Sequence, residues 1–580
     1  MRFSRGFAIA ALVAVALVPG IFVDAGEVGD QPGVVEAKWT GDWVIPLVSV
    51  DAQAAQSDLS PLGSWVGDVR VVGLGEGNHG ISEFFRLKHR LAKFLFEEAG
   101  FTVFALEANL PECERINEWI LGGDGDPREL LAALDEWIWN IEEYLDLITW
   151  MREFNRERDR KVKFAGFDMK RPVLAMDNVV SVLRGINPEA ATTAAALYAP
   201  YRDIPGMGII PFLGGGLYAD LPEEFLILAA GRQVTLSGWI KTEGVDRFAS
   251  NGAGPGLWLR AGREFEHLPW APGKKPPGTS PWQRYSVEIQ VPQTANSLRF
   301  GVVHYGNGRV WFDGLEFAID GQPVEVPGLD VDFETEAPFG FQEYEAQFAP
   351  IQVDDYSLEG DTGNVRSGKR SLRIVYNPLL DKAVADAARV LEDLTKSHDT
   401  YAKQVGIAKY EWLMQNARIV HQALSWRADY RLRERWMAEN LRWLQEYRFP
   451  GERIVSSAAN SHVCDCGPGG NFPRAGSYLK EWYGAEYLAM GLFSFTGSYR
   501  GWDYENMTEG AVNLLPERKA GSLEACLERS GLPLMMVDVR NPETPECVAA
   551  VREQYDLLAF VRESNPSRWL GEYQKNDSAQ

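Results

Sequence analysis

The stretch Val71-Val72-Gly73-Leu74-Gly75-Glu76-Gly77-Asn78-His79-Gly80 constrains this chain more than any other. Its valine-rich start reads as a buried strand. Glycines at 73, 75 and 77 then give the backbone room for a sharp turn. The next segment, Ser82 to Glu98, has helical period. Strand, polar turn and helix in that order are the opening of an α/β sheet. Ligands bind at the carboxyl ends of the strands in such sheets, so Glu76 and His79 are presented where chemistry is usually done.

The helix that follows carries Phe84, Lys88, Leu91 and Leu95 at steps of four, three and four, which puts Lys88 on the apolar stripe. A buried ammonium needs a partner or a task. The alternative is that its stem snorkels past the core. Phe101 to Leu106 reads as a second strand with Glu107 at its end, and Val162 to Phe167 as a third with Asp168 at its end. Between them, Trp137 to Arg158 reads as a helix whose Trp and Leu residues face the core. Strands alternating with helices imply a mainly parallel, doubly wound sheet.

The text changes near residue 201. Short alternating runs such as Val234 to Ile240, Tyr285 to Val291 and Ser371 to Val375 are separated by Gly- and Pro-rich turns, the pattern of an antiparallel, jelly-roll-like sandwich. Helical period resumes at Pro378, and Arg453 to Ala459 is again a strand, followed by Asn460-Ser461-His462-Val463. The fold class expected is therefore α/β: a mainly parallel sheet with flanking helices, interrupted by an inserted all-β sandwich. Residues 26–200 and 378–580 form the two halves of the core, and 201–377 form the insert.

Residues 1–25 have the basic start, apolar middle and small-residue end of a secretory signal peptide. The expectation is a secreted or periplasmic protein with no stable membrane insertion after cleavage. A formal net charge of −23 argues against nucleic acid as a partner. Five cysteines in 580 residues are too few for a disulfide scaffold, though one or two bridges suit an exported chain.

Glu76, His79, Glu107 and His462 all fall at strand ends. A histidine oriented by carboxylates serves as a general base near neutral pH. Lys88 is placed to hold a developing oxyanion. These segments resemble the erythromycin esterase family. The resemblance is carried by Gly75 to Gly80 with Glu83-Phe84-Phe85, by Leu106-Glu107-Ala108 and by Leu147 to Asn155. Phe164 to Asp168, Met437 to Asn440 and Asn460 to Val463 add to it. It implies hydrolysis of a macrolide lactone by water with a histidine as base; the expectation for this chain is a small-molecule ester, lactone or glycan ester as substrate and no cofactor. His79, Glu76, Glu107 and His462 are then the catalytic candidates, and Lys88 and Asn460 the substrate-binding ones. The chain departs from the family pattern at Ala459, where a second histidine is expected, and at Lys88, where arginine is expected.

Two other readings compete. The same four residues, or Cys464 and Cys466 after His462, form a plausible ligand set for a metal-dependent hydrolase or protease. Failing that, the cysteines are free or separately bridged thiols in a turn. Alternatively the chain is a non-catalytic glycan-binding protein, with Trp239, Trp258, Trp282 and Tyr305 of the sandwich as stacking faces.

Overall fold

The computed structural model describes residues 39–202, 214–245, 255–262, 264–267, 278–305, 307–326, 328–335, 341–343, 356–376, 379–428, 431–466, 473–503 and 508–571. The expected signal peptide at 1–25 lies outside them. The described residues form two compact units, one drawn from 39–198, 387–423 and 431–571, the other from 199–386 with 424–428.

The first unit is built on a nine-stranded sheet. Its strands are β1 (Val44–Pro46), β2 (Val71–Leu74), β3 (Val103–Asn109), β4 (Lys163–Asp168) and β5 (Ile454–Ser457), then β6 (Tyr487–Asp503), β7 (Thr508–Leu514), β8 (Leu534–Asp538) and β9 (Leu557–Ser564). The order is β1-β8-β9-β6-β2-β5-β3-β4, with β7 hairpinned onto β6. Neighbours from β4 across to β9 run parallel, while β8 and β1 close the far edge antiparallel. Every residue of β2, β3 and β5 is buried, as in a parallel sheet covered by helices on both faces. The expected fold class is the one observed.

Strand β5 comes from the second half of the chain yet lies between β2 and β3 from the first half. Three neighbouring carboxyl ends therefore converge on one place. The turn after β2 passes close beneath the short helix Asn460–Val463. A Cβ at Gly75 would lie 2.1 Å from Asn460 Oδ1 and 2.9 Å from Val463 Cγ2, so this position admits only glycine.

Four helices supply side chains there: α1 (Ser82–Glu98), α2 (Leu110–Ile120), α3 (Glu142–Glu157) and α4 (Leu432–Trp443). The helix expected from Trp137 begins five residues later, at Glu142. Ile141 is extended and bridges to Trp569, and Glu142 N donates to Arg568 O at 2.8 Å. That pairing commits the backbone and leaves Trp137, Ile138 and Trp139 in the turn ahead of α3.

The second unit contains a five-stranded and a six-stranded antiparallel sheet. Strand Gln233–Glu243 alternates buried and exposed residues along its whole length. Residues of both sheets, among them Leu236, Leu257, Phe300, Phe312 and Ile374, share one apolar core, which makes the pair a sandwich. Trp258 is only 5% exposed and packs with Tyr218 and Val303, so it offers no stacking face. Trp239 lies under the Arg366 guanidinium at 4.2 Å. Trp282 is half-buried, and the Tyr305 side chain lies outside the described set.

Candidate active site

Glu76 sits in the turn after β2 with its carboxylate fully enclosed. One oxygen, Oε1, lies 2.9 Å from His79 Nδ1. The other pairs with the Lys88 ammonium. A carboxylate can only accept, so Nδ1 carries the proton and Nε2 keeps its lone pair. Among the described residues Nε2 has no protein partner, and the His79 side chain is 12% exposed. Burial pushes this imidazole down to about 4. Lys170, His462 and Arg433 push the same way, and Glu107 opposes. His79 is thus neutral at pH 7, with one basic nitrogen open.

Lys88 projects from α1 and is 1% exposed, so it does not snorkel. Its Nζ donates to Ser457 Oγ at 3.0 Å and Ala458 O at 3.3 Å as well as pairing with Glu76. Three ammonium protons meet three acceptors. Burial pushes the ammonium well below the usual lysine range, with the Glu107 carboxylate opposing.

Beside this pair is a buried charge cluster. Arg433, from α4, donates from Nη2 to Glu107 Oε1 at 2.8 Å and to Asp168 Oδ2 at 2.6 Å, with Nε 3.2 Å from Asp168 Oδ1. Ala459 N holds the other Glu107 oxygen at 3.0 Å. Lys170 joins Asp168 (3.4 Å) to Glu136 (2.9 Å). His462 Nε2 lies 3.3 Å from Glu107 and 3.2 Å from Arg433 Nη1, while Nδ1 lies 2.9 Å from Glu434. Glu434 also accepts from Ala475 N at 3.0 Å and Arg474 Nη1 at 3.4 Å.

Burial opposes charge on His462, yet the Glu107 and Glu434 carboxylates outweigh it and push the ring up to about 9. Burial alone would raise Glu107, but His462, Arg433 and Lys170 hold its carboxyl well below the usual range. Burial raises Glu136, with Lys170 opposing. The site therefore sets a neutral histidine, His79, against a charged one, His462. Two histidines with environments that drive them apart suit acid and base roles.

Glu76, His79, Glu107 and His462 all lie at the carboxyl edge of the sheet. Asn460 spends its amide on β6: Nδ2 donates to Leu492 O at 3.0 Å, and Leu492 N donates to Oδ1 at 3.1 Å. Sequence reasoning missed Arg433, Glu434, Lys170, Glu136 and Arg474, and gave Asp168 no role. A signal existed for Arg433, which shares the buried side of α4 with Met437 and Asn440, at steps of four and three residues in turn.

The cysteines correct the sequence reading. Cys464 and Cys466 are bonded to each other, and Cys526 to Cys547, with Cys113 free and buried. Bonded sulfurs are not thiolate ligands, so the zinc reading at 464–466 fails. Among the described residues no group of three or more His, Cys, Asp and Glu side chains is arranged to hold a metal. No described helix is long and apolar enough to cross a membrane.

A mainly parallel α/β sheet with its buried charges gathered at the carboxyl edge is the class this fold and site define. The family model for erythromycin esterase matches residues 96–209 and 342–568, more than half of the chain. The chain belongs to the erythromycin esterase family, as its motifs implied. It is similar to erythromycin esterase type II of Escherichia coli, 38% identical over 134 residues, or 23% of this chain and 32% of that one. Against erythromycin esterase type I of Escherichia coli it is 27% identical over 121 residues, 21% of this chain and 29% of that one. Against the putative hydrolase YbfO of Bacillus subtilis (strain 168) it is 29% identical over 164 residues, 27% and 35% of the two chains. The chain spans about a third of the length of these curated relatives. In three dimensions it is similar to a mutant of erythromycin esterase EreC in its open conformation, with a TM-score of 0.55 and 12% identity over 91% of this chain and 100% of that one. A succinoglycan biosynthesis protein gives 0.53 and 17% over 91% and 96%. At such identities the likeness is one of fold.

Proposed function

We propose that the protein is an exported hydrolase of a small-molecule ester or lactone, with His79 as general base toward water. The observation that carries this reading is the state of His79: a neutral ring, oriented by Glu76 through Nδ1, with Nε2 open. Nε2 takes a proton from water as the oxygen attacks the carbonyl carbon. The oxyanion then develops beside the cations His462 and Arg433, whose field favours negative charge. When the C–O bond breaks, the proton on His79 passes to the leaving alkoxide, which restores the neutral base. Glu107 and Glu434 keep His462 charged. Lys88, with its protons committed, and Asn460, with its amide committed, position the turn and Glu76 and do not touch substrate. Two disulfides suit an oxidising compartment, which supports export.

The test is a panel of esters and lactones given to purified protein, unmutated and His79→Ala, each with and without chelator. Turnover that is lost in His79→Ala and indifferent to chelator is expected. Full activity in His79→Ala would overturn the mechanism.

A further inference from the structure

Glu76 divides its two oxygens between His79 and Lys88, so whatever fixes the tip of Lys88 also fixes the carboxylate that orients the base. A lysine side chain is long and rich in rotamers, and needs anchoring to serve as a reference point. Ser457, the last residue of β5, provides one anchor: its Oγ is 3.0 Å from Lys88 Nζ. The same Oγ lies 3.1 Å from the Tyr144 hydroxyl. Tyr144 stands in the first turn of α3, whose start is pinned by the Ile141–Trp569 bridge.

A second route leads from Tyr144 to His79. The tyrosine ring meets Trp139 edge-on, with centroids 5.4 Å apart at 90°. Trp139 in turn meets the His79 imidazole at 5.7 Å and 81°. The Trp139 indole nitrogen is buried without an acceptor among the described residues, so packing alone sets that ring. Phe85 flanks both, 5.3 Å from Tyr144 and 6.4 Å from Trp139. The contacts close into a ring: His79, Glu76, Lys88, Ser457, Tyr144, Trp139 and back to His79.

We infer that Tyr144 is a positioning residue for His79, acting through Ser457 and Lys88 on one side and through Trp139 on the other. The inference rests on His79 being the base. The polar arm fixes Glu76 against one ring nitrogen, and the aromatic arm fixes the ring against rotation. Both take their reference from one side chain on one helix. Burial pushes the Tyr144 phenol well above its usual range, so the hydroxyl stays protonated and keeps its bond to Ser457 across the working pH range.

Tyr144→Phe removes the hydroxyl and keeps the ring against Trp139. Ser457→Ala cuts the same arm from the other end. The first readout uses no substrate: the rate at which diethyl pyrocarbonate modifies His79 in the whole protein, followed on the His79 peptide by mass spectrometry. Each variant should slow modification about 3- to 10-fold, the worth of one hydrogen bond. The double variant should be no slower than either single one, because both break one path. On an ester the protein hydrolyses, kcat should fall by the same factor with KM unchanged. Unchanged modification of His79 in Tyr144→Phe, whatever happens to Tm and whatever Ser457→Ala does, would overturn the inference and leave Tyr144 a packing residue. If Tyr144→Phe fails to fold, Tyr144→His, which keeps a ring without the phenol, is read in its place. Failure of the unmutated protein to turn over any ester would sink the hydrolase reading, and the modification rates would still decide the coupling.

Discussion

His462 Nδ1 lies 2.9 Å from Glu434 Oε2, which ties the turn after β5 to the buried side of α4. This bond helps to keep one histidine charged a short distance from another that is neutral, and the two should respond to pH in opposite senses. His462 is raised from 6.5 to about 9, so its stabilisation is complete below 6.5 and is lost as pH rises through about 9. His79 is lowered from 6.5 to about 4, so the fold resists its protonation, and the stabilisation present above 6.5 is lost as pH falls toward 4. His89, also lowered to about 4, shares that acid flank. Urea midpoints measured across pH should fall on both flanks. His462→Gln should flatten the alkaline flank, and His79→Gln should flatten part of the acid one. An alkaline slope unchanged by His462→Gln would contradict this account.

The same shift sets the activity profile. With His79 lowered to about 4, kcat/KM should hold at pH 5, where an ordinary histidine would be mostly protonated. His79→Ala should lower kcat by roughly 10²–10⁴-fold with little change in KM. Glu76→Gln should cost less, since the base survives with poorer orientation. Steady-state kinetics on the best ester of the panel checks all three.

Arg433 bridges Glu107 and Asp168 from one nitrogen and is buried with them. Arg433→Met would remove the cation that bridges two enclosed carboxylates, leaving Asp168 to Lys170 at 3.4 Å and Glu107 to His462 at 3.3 Å. Loss of about 3–5 kcal/mol in urea unfolding at pH 7 is expected. Arg433→Lys should recover only part, because an ammonium lacks the planar fork that serves both carboxylates.

Asn460→Ala separates two roles for that residue. Its amide bonds both the N–H and the C=O of Leu492; the carbonyl also accepts from Gly77 N at 3.0 Å, so removal should cost about 1–3 kcal/mol, chiefly for the Leu492 N–H left unpaired. KM should stay within twofold or so, the level expected of a residue that makes no uniform binding contact. A large rise in KM with stability intact would return Asn460 to the substrate.

Among the described residues, the buried side chains of the sandwich core lie between Leu217 and Ile374, with Tyr376 packed against them. We propose on that ground that a segment such as 199–386 folds alone. Expressed by itself, it should melt in one cooperative calorimetric transition, and a broad non-cooperative melt would argue that its core needs the rest of the chain.

Much of the fold was legible because buried parallel strands leave nearly continuous apolar runs, and those at Val71, Phe101 and Val162 are such runs, broken only by Thr102 and Lys163. Lys88 was legible because a charge on an apolar stripe stands out. Arg433 and Glu434 were not, because α4 also carries Arg435 and Arg442 on its exposed side, and inward and outward arginines look alike in a highly charged helix. The start of α3 was misplaced because it is set by the bridge from Ile141 to Trp569, more than four hundred residues away. The Cys464–Cys466 bond was illegible for a simpler reason: the spacing of cysteines does not state their connectivity.

The position of β5 between β2 and β3 also governs how the protein must be made. When the ribosome has released Val71 to Asp168, the strands β2 and β3 exist but cannot pair with each other. The slot between them is filled only by Ile454–Ser457. At about 5–20 residues per second, the intervening chain takes on the order of tens of seconds to synthesise. Through that interval the nascent first half carries two unpaired apolar strand edges, the surface that chaperones shield and that aggregates if they do not. Translation therefore reaches the sandwich, and can complete it, before the sheet that bears the histidines has its middle strand.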